Sequence, residues 1–138
     1  MRRSDGIFIY LQLILTFDDY DQSLTVHVAR ARGLRAMDLN GLADPFVKLR
    51  LHPDPTEDMD LNRQVKYIPN TLEPEWQQTV VFMNCLKRTL KKRVLEVTMW
   101  DFDRLKMNDF MGQAIIHLSG MPSVGYLSVS IPHKCHHT

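Results

Sequence analysis

The run Ile7-Phe8-Ile9-Tyr10-Leu11-Gln12-Leu13-Ile14-Leu15-Thr16-Phe17 alternates in the way that a half-buried extended chain requires. Its odd-numbered positions are all apolar, whereas its even-numbered positions mix aromatic, polar and aliphatic side chains. Because successive side chains of a strand point to opposite faces, this run predicts a strand with one buried face. A polar connection over 18–22 leads into Ser23–Arg30, which alternates again, and the pair predicts a β-hairpin.

Similar short runs continue along the chain and are separated by turn-forming residues. They predict further strands at Pro45–Leu51, Arg63–Ile68, Trp76–Met83, Val94–Trp100, Met111–Leu118 and Tyr126–Ile131. One helix is predicted over Cys85–Arg93, where Leu86 and Leu90 share a face. Many short strands with little helix are typical of an all-β fold, and we expect an eight-stranded antiparallel β-sandwich.

Length and composition limit the classes of function that fit. The chain has 138 residues, of which 44% are hydrophobic and 24% are charged, which suits one domain with a substantial core. The formal net charge of +1 argues against a nucleic-acid-binding protein. Two cysteines, Cys85 and Cys135, define no disulfide framework, and no acceptor for N-linked glycans occurs. Both observations favour the cytosol.

Acidic residues are concentrated in two predicted loops. Asp38 and Asp44 precede the third strand, and Asp101, Asp103 and Asp109 follow the sixth. Carboxylates repel one another and are strongly hydrated, so their accumulation needs a physical reason. If the fold brings the two loops together, the side chains form an oxygen-rich cup, which suits a hard divalent cation such as Ca²⁺.

Two other metal-dependent interpretations fit the sequence less well. Asp101 and Asp103 resemble the start of an EF-hand loop, but Lys106 stands where that loop needs glycine and Gly112 where it needs a bidentate glutamate. An acidic pair also holds magnesium in some hydrolases, but no nucleophile, phosphate-binding loop or general base accompanies this pair. The sequence therefore predicts a binding protein and no enzyme.

Three motifs carry a resemblance to a known family. Gly33–Lys48, which reads GLRAMDLNGLADPFVK, is similar to the first calcium-binding loop of C2 domains and the strand after it. Thr71–Trp76 (TLEPEW) resembles the second loop, and Trp100–Gly112 (WDFDRLKMNDFMG) resembles the third. The motifs stand in the family's order, and the chain resembles the calcium-sensing C2 domains of synaptotagmin, rabphilin, Doc2, RIM and piccolo proteins. The resemblance implies a synaptotagmin-like topology with the calcium-binding loops at one end.

The resemblance also implies a ligand set for the metal. Two or three Ca²⁺ ions are expected to be held by the five aspartates Asp38, Asp44, Asp101, Asp103 and Asp109. Backbone carbonyl groups are expected to complete the coordination shell at Met37, Phe102 and Lys106.

Contacts with lipid are implied in the same way. Leu39 and Leu105 match the loop-tip positions that enter the bilayer. Part of the phosphoinositide pocket of some family members is matched by Lys48, Lys66, Trp100 and Asn108, with Arg104 as an additional basic residue. The implied partners are anionic phospholipids, with phosphatidylserine first and phosphoinositides as a further candidate, together with SNARE or other exocytic proteins.

These implications define the expected function. We expect a calcium-dependent phospholipid-binding module that docks its parent protein on anionic membranes during vesicle trafficking or exocytosis. Its expected location is cytoplasmic and peripheral on a plasma or vesicle membrane, including the presynaptic membrane. The alternative is a calcium-independent protein-interaction domain with the same fold. We also expect a single C2 domain over 6–131, flexible termini at 1–5 and 132–138, and a monomer within a larger parent protein.

Overall fold

The computed structural model describes residues 6–36, 41–53 and 61–134. Within these ranges the chain forms eight strands and one short helix. The elements are β1 (Phe8–Asp18), β2 (Ser23–Arg32), β3 (Pro45–His52), β4 (Asn62–Gln64), β5 (Glu75–Phe82), α1 (Lys87–Leu90), β6 (Val94–Asp101), β7 (Asp109–His117) and β8 (Val124–Pro132). The strand pairs are antiparallel, so the predicted eight-stranded sandwich is confirmed.

The strands form two four-stranded sheets, with the orders β5-β2-β1-β8 and β4-β3-β6-β7. The predicted hairpin of β1 and β2 forms the centre of the first sheet, where Leu13 lies opposite Val28 and Leu15 opposite Val26. β1 pairs with β8 along its other side. The second sheet has β3 and β6 at its centre, and β6 leads directly into the second acidic loop.

The core lies between the two sheets. Ile9, Leu11, Leu13 and Leu15 of β1 are at most 1% exposed, which confirms burial for the middle of the odd-numbered face, whereas Ile7 and Phe17 at its ends are half-buried. The second sheet contributes Val47, Leu49, Leu95, Val97 and Met99, which are equally buried. Full burial of such a side chain stabilises the fold by roughly 1.5–3 kcal/mol. The core therefore fixes the strand ends from which the loops project.

Gly112 of the third motif has a packing role. A Cβ atom at this position would lie 2.6 Å from Ile131 Cγ2 and 2.6 Å from the Pro132 carbonyl oxygen. Both distances are shorter than van der Waals contact, and one neighbour is backbone. Glycine therefore allows β7 and β8 to approach each other across the sandwich.

The fourth strand is shorter than predicted. β4 ends at Gln64, whereas the residue pattern predicted a strand to Ile68. Beyond Gln64 the Lys66 N–H donates to Gln78 Oε1 at 2.9 Å, and Gln78 Nε2 donates to the Lys66 carbonyl oxygen at 3.4 Å. These Lys66 groups lie on the open edge of the sheet, since the neighbouring Val65 N–H donates to the Val47 carbonyl oxygen of β3 at 3.0 Å. The next bond to β3 runs from the Ile68 N–H to the Pro45 carbonyl oxygen at 3.1 Å, which is one residue beyond regular ladder spacing, and the strand therefore ends. Lys66, which was expected on a strand, lies instead on the connection to β5.

The helix is also shorter than the predicted range of 85–93. α1 covers only Lys87–Leu90, and the N–H groups of Lys92 and Arg93 donate three residues back, to Thr89 and Leu90. This tight turn ends the helix before β6. Among the described residues, no helix has the length and hydropathy to span a bilayer.

Backbone pairing at the C-terminal end continues past residue 131. β8 includes Pro132, the His133 N–H donates to the Ile7 carbonyl oxygen at 2.7 Å, and the Lys134 N–H donates to that of Met111 at 2.8 Å. Residues 1–5 and 135–138 lie outside the described residues. The domain limits of 6–131 stay a prediction.

Candidate metal centre

Three connections meet at one end of the sandwich. They are the described residues 41–44 before β3, the segment between β4 and β5, and the loop between β6 and β7. The Thr71 N–H donates to the Ala43 carbonyl oxygen at 2.8 Å, and the Phe102 N–H donates to that of Asp44 at 2.9 Å. Segments far apart in the sequence therefore form one continuous rim.

Asp44 and Asp101 lie against each other on this rim. The Asp44 N–H donates to Asp101 Oδ1 at 2.8 Å, and Asp44 Oδ1 accepts from the Asn70 N–H at 2.7 Å. Asp101 is only 5% exposed. Each carboxylate thus accepts a backbone hydrogen bond from a neighbouring segment, which satisfies part of its need for solvation as an anion.

Sheet register brings Asp109 to the same rim. Pro45, at the start of β3, lies opposite Asp101, and Asp101 lies opposite Asp109 at the start of β7. An antiparallel sheet places the end of one strand beside the start of the next, so these acids share one edge of the sheet.

Asp103 organises the loop between β6 and β7. Its Oδ1 accepts from the N–H groups of Leu105 at 2.8 Å and Lys106 at 3.1 Å. Asn108 Oδ1 accepts from the Asp103 N–H at 2.9 Å, which closes the loop on itself. The Lys106 ammonium lies 4.0 Å from Asp103 Oδ2. Asp103 is therefore an Asx-type turn residue as well as an expected metal ligand.

The expected ligands are only partly within the described residues. Asp44, Asp101 and Asp103 border one polar cleft of about 260 Å³, together with Phe102 and Arg104. Met37, Asp38 and Leu39, which the sequence assigned to metal and membrane contact, lie outside the described residues. Within 6–36, 41–53 and 61–134, no three His, Cys, Asp or Glu side chains are arranged closely enough to hold a metal ion.

The chemistry of the cleft nevertheless fits Ca²⁺. Its acidic side chains offer carboxylate oxygen donors. Hard cations of this size prefer carboxylate and carbonyl oxygens in a flexible arrangement. The ligand assignment stays a prediction.

Exposed apolar side chains surround the acidic cleft. Leu105 is 91% exposed and Met107 is 87% exposed, with Lys106 between them, and Leu42 is 42% exposed. The resemblance pointed to Leu105 and not to Met107. The available signal was a second long apolar residue, between Lys106 and Asn108 and two positions after Leu105.

The basic and aromatic set lies beside the rim, with Lys48 and Trp100 on the second sheet, Lys66 on the connection after β4 and Asn108 in the loop before β7. The Lys48 ammonium is 4.5 Å from the centre of the Trp100 ring, which is within range of a cation–π interaction. Lys48, Lys66 and Asn108 border a cavity of about 500 Å³. Trp100 borders a neighbouring cavity of about 410 Å³, which Lys48 shares with Arg50 and Arg63. Arg104 lies apart from these residues, at the acidic cleft.

Sequence comparison relates this architecture to known proteins. A family model described as C2 domain matches residues 22–131. Protein piccolo of Homo sapiens is 41% identical over 104 residues, which cover 70% of this chain and 2% of piccolo. Rabphilin-1 of Caenorhabditis elegans is 38% identical over 108 residues, which cover 78% of this chain and 9% of rabphilin-1. The chain thus spans only a small part of the length of these relatives.

Solved structures give the same result. The crystal structure of a RIM C2 domain from Drosophila has a TM-score of 0.76 and 32% identity, covering 89% of this chain and 98% of that domain. Human GIVD cytosolic phospholipase A2 has a TM-score of 0.57 and 22% identity, and 17% of its chain is covered. The likeness to the phospholipase concerns the fold alone.

Proposed function

Because this chain belongs to the C2 domain family, and to the type found in piccolo, rabphilin and RIM proteins, we propose that it is a calcium-dependent phospholipid-binding module. In this proposal it is a binding module without enzymatic activity. It docks its parent protein on anionic membranes during vesicle trafficking or exocytosis.

One observation carries the proposal. The hydrogen bond from the Asp44 N–H to Asp101 Oδ1, 2.8 Å long, joins residues that are 57 positions apart. Asp103 borders the same cleft, and Asp109 lies opposite Asp101 in the sheet. An aspartate that only forms a turn and faces solvent does not need carboxylates from distant segments beside it. A divalent cation does, because it is bound by several oxygen atoms at once.

The residues available to hold the cation are Asp44, Asp101, Asp103 and Asp109, with the carbonyl groups of Phe102 and Lys106. Asp38 and the Met37 carbonyl group complete the proposed set from outside the described residues. When bound, two or three Ca²⁺ ions would neutralise these carboxylates and present open coordination positions to phosphatidylserine headgroups. The calcium affinity and the membrane affinity of such a site are reciprocally coupled.

The apolar and basic residues beside the rim supply the remaining membrane contact. Full burial of one side chain such as Leu105 or Met107 in the bilayer contributes roughly 1.5–3 kcal/mol. Each basic residue close to an anionic leaflet contributes about 1 kcal/mol, which makes Lys48 and Lys66 favourable to phosphoinositide-containing membranes. Free-energy contributions of this size give reversible docking on the membrane rather than permanent anchoring.

Location and protein partners extend the proposal. The module would act at the cytoplasmic side of a plasma or vesicle membrane, including the presynaptic membrane, as a monomeric part of a longer protein. SNARE or other exocytic proteins are the proposed protein partners.

The direct test combines calorimetry with thermal unfolding. The protein is titrated with Ca²⁺ in the presence and absence of phosphatidylserine vesicles. We expect heat of binding and a rise in Tm with Ca²⁺, and tighter calcium binding when vesicles are present. A ligand at a hundredfold excess over its Kd stabilises the folded state by roughly 2.7 kcal/mol, which is easily measured.

Magnesium is the matched control, because it demands rigid octahedral coordination and keeps its water ligands. It should produce a much smaller rise in Tm at the same concentration. If Ca²⁺ gives neither heat nor a change in Tm, the proposal is wrong and the calcium-independent protein-interaction domain is the better description.

A further inference from the structure

A further cavity, lined mainly by apolar side chains, lies at the opposite end of the sandwich from the acidic rim. It has a volume of about 280 Å³ and is enclosed by β1, β2, α1 and the connection between β7 and β8. Its apolar lining consists of Leu15, Phe17, Leu24, Leu90, Leu118 and Met121. The proposed calcium site makes no use of this cavity.

Cations border the mouth of this cavity. Lys87 and Lys91 contribute to its lining, and both are exposed. Arg88 and Lys92 lie on the same turn of chain, are also exposed, and do not line the cavity. In the part of the chain that the structure describes, no carboxylate lies within ion-pair distance of any of these four side chains.

Among the described residues, the acids of the β1–β2 turn at this end form no ion pair with these four cations. Asp18, at the end of β1, uses its Oδ1 to accept from the N–H groups of Tyr20 at 2.9 Å and Asp21 at 3.1 Å. None of Asp18, Asp19 and Asp21 contributes to the cavity lining. The cavity therefore combines an apolar interior with a cationic edge.

Size and charge together identify the class of ligand. The volume of about 280 Å³ is close to the lower limit of roughly 300 Å³ for ligand pockets, and the largely apolar lining has room for one large apolar side chain. Large side chains that fill a desolvated pocket are common anchors of protein–protein contacts. Charges at the edge of such a pocket favour partners of opposite charge. A partner that fits this cavity carries one such side chain with carboxylates on either side.

We propose that this end of the molecule binds an acidic peptide segment of a partner protein, which inserts one large apolar side chain between β1, β2 and α1 while its carboxylates pair with Lys87 and Lys91. This contact is independent of calcium. Because it lies at the opposite end from the rim, the parent protein can engage a membrane and the peptide at the same time.

The test uses fluorescein-labelled Glu-Asp-Glu-Phe-Glu-Asp-Glu, with Ala, Leu and Trp versions of its central residue, and is read by fluorescence anisotropy in the presence of a calcium chelator. The Phe, Leu and Trp peptides should bind roughly tenfold or more tightly than the Ala peptide, because only they bury a large apolar group. Equal affinity of all four peptides, or no binding at roughly 1 mM protein, would overturn the proposal.

Two charge variants provide the matched comparison. Lys87→Glu with Lys91→Glu changes the cavity edge, and Arg88→Glu with Lys92→Glu makes the same change in net charge beside it. The first pair should weaken binding of the Phe peptide roughly fivefold more than the second. Equal losses would mean that the peptide is attracted only by the general positive charge of this end.

A third variant and a lipid arm separate the remaining explanations. Ser123→Trp fills the cavity mouth without changing charge, and the backbone hydrogen bond that the Ser123 carbonyl accepts from Phe17 is retained. It should abolish the preference for Phe over Ala while Tm is unchanged. If the Lys87 and Lys91 substitutions instead weaken binding to phosphatidylserine vesicles and leave peptide binding unchanged, this end is a lipid contact and the proposal is wrong.

Discussion

The Asp44 amide group and the Asp101 carboxylate are joined by a hydrogen bond of 2.8 Å across 57 positions of sequence. The contact fixes the end of β6 against the start of β3 and brings two acidic loops to one rim. The Asp101 carboxylate that accepts this hydrogen bond also borders the cleft. Substitutions that test this rim should therefore remove the negative charge of Asp101 while keeping that hydrogen bond.

Asparagine substitutions meet this requirement. Asp101→Asn combined with Asp103→Asn removes two negative charges but leaves Oδ1 atoms that accept the same backbone hydrogen bonds. We expect calcium-dependent binding to phosphatidylserine vesicles to be lost in a sedimentation assay, with Tm in the absence of metal within a few degrees of wild type. Asp19→Asn with Asp21→Asn, at the opposite end, is the control and should bind normally. Calcium-dependent binding by the rim variant would show that the metal site is misassigned.

Leu105 and Met107 are expected to act on lipid and not on metal. Leu105→Ala with Met107→Ala should weaken vesicle binding in calcium by at most roughly 1.5–3 kcal/mol per side chain, because each loses the apolar surface that would enter the bilayer. Calcium affinity measured by calorimetry without vesicles should not change.

Met83→Ala provides the control, since Met83 is 50% exposed and lies outside the rim. An unchanged vesicle affinity in the Leu105 and Met107 variant would mean that these tips remain in water.

Lys48 and Lys66 should determine the response to phosphoinositides. Lys48→Ala with Lys66→Ala should weaken binding to phosphoinositide-containing vesicles by about 1 kcal/mol per residue, and the loss should shrink at high salt. Lys48→Arg is the matched control, because it keeps a cation that can lie over the Trp100 ring. If both variants bind as wild type does, the face is a solvated surface rather than a headgroup site.

His133 should make stability depend on pH. Its Nδ1 lies 3.0 Å from the Lys134 carbonyl oxygen, and its Nε2 accepts from the Arg35 N–H at 2.9 Å. Burial lowers the pKa of His133 below its ordinary value of 6.5, so the folded state favours the neutral ring. Its contribution to the free energy of unfolding is present in full above pH 6.5. It is lost as pH falls through the lower pKa of the folded protein, because the unfolded chain then binds a proton that the folded chain resists.

Denaturant unfolding at a series of pH values checks this expectation. The difference in stability between wild type and His133→Gln should shrink or change sign in favour of the variant as the pH falls below 6.5, since glutamine keeps an acceptor but does not titrate. A difference that stays constant across this range would contradict the role assigned to burial.

Strand periodicity made most of the fold predictable. The alternation in β1 identified Ile9, Leu11, Leu13 and Leu15 as the buried face, and they are at most 1% exposed. Local pattern predicted too long a strand at β4. Past Gln64 the backbone bonds to β3 lose their regular spacing, from Val65 to Val47 and then from Ile68 to Pro45, and Pro45 has no N–H to return a bond.

The candidate site was predictable in its chemistry and less so in its arrangement. Oxygen-rich loops were evident from Asp44, Asp101 and Asp103, whereas Met107 is apolar by sequence and only the fold shows that it is 87% exposed. Likewise, the basic residues were found by resemblance, yet only the fold separates Arg104 at the acidic cleft from Lys48 at the Trp100 ring.

By itself, the sequence determined which side chains are buried in each strand and which loops carry acid, because period-two burial and hydration of charge act over neighbouring residues. Tertiary structure alone decided that Asp44 meets Asp101, that Lys48 lies over Trp100, and that an apolar cavity with a lysine edge opens at the far end. These relationships arise from strand order and register, which depend on how two whole sheets pack and therefore leave no signal in any short stretch of the chain.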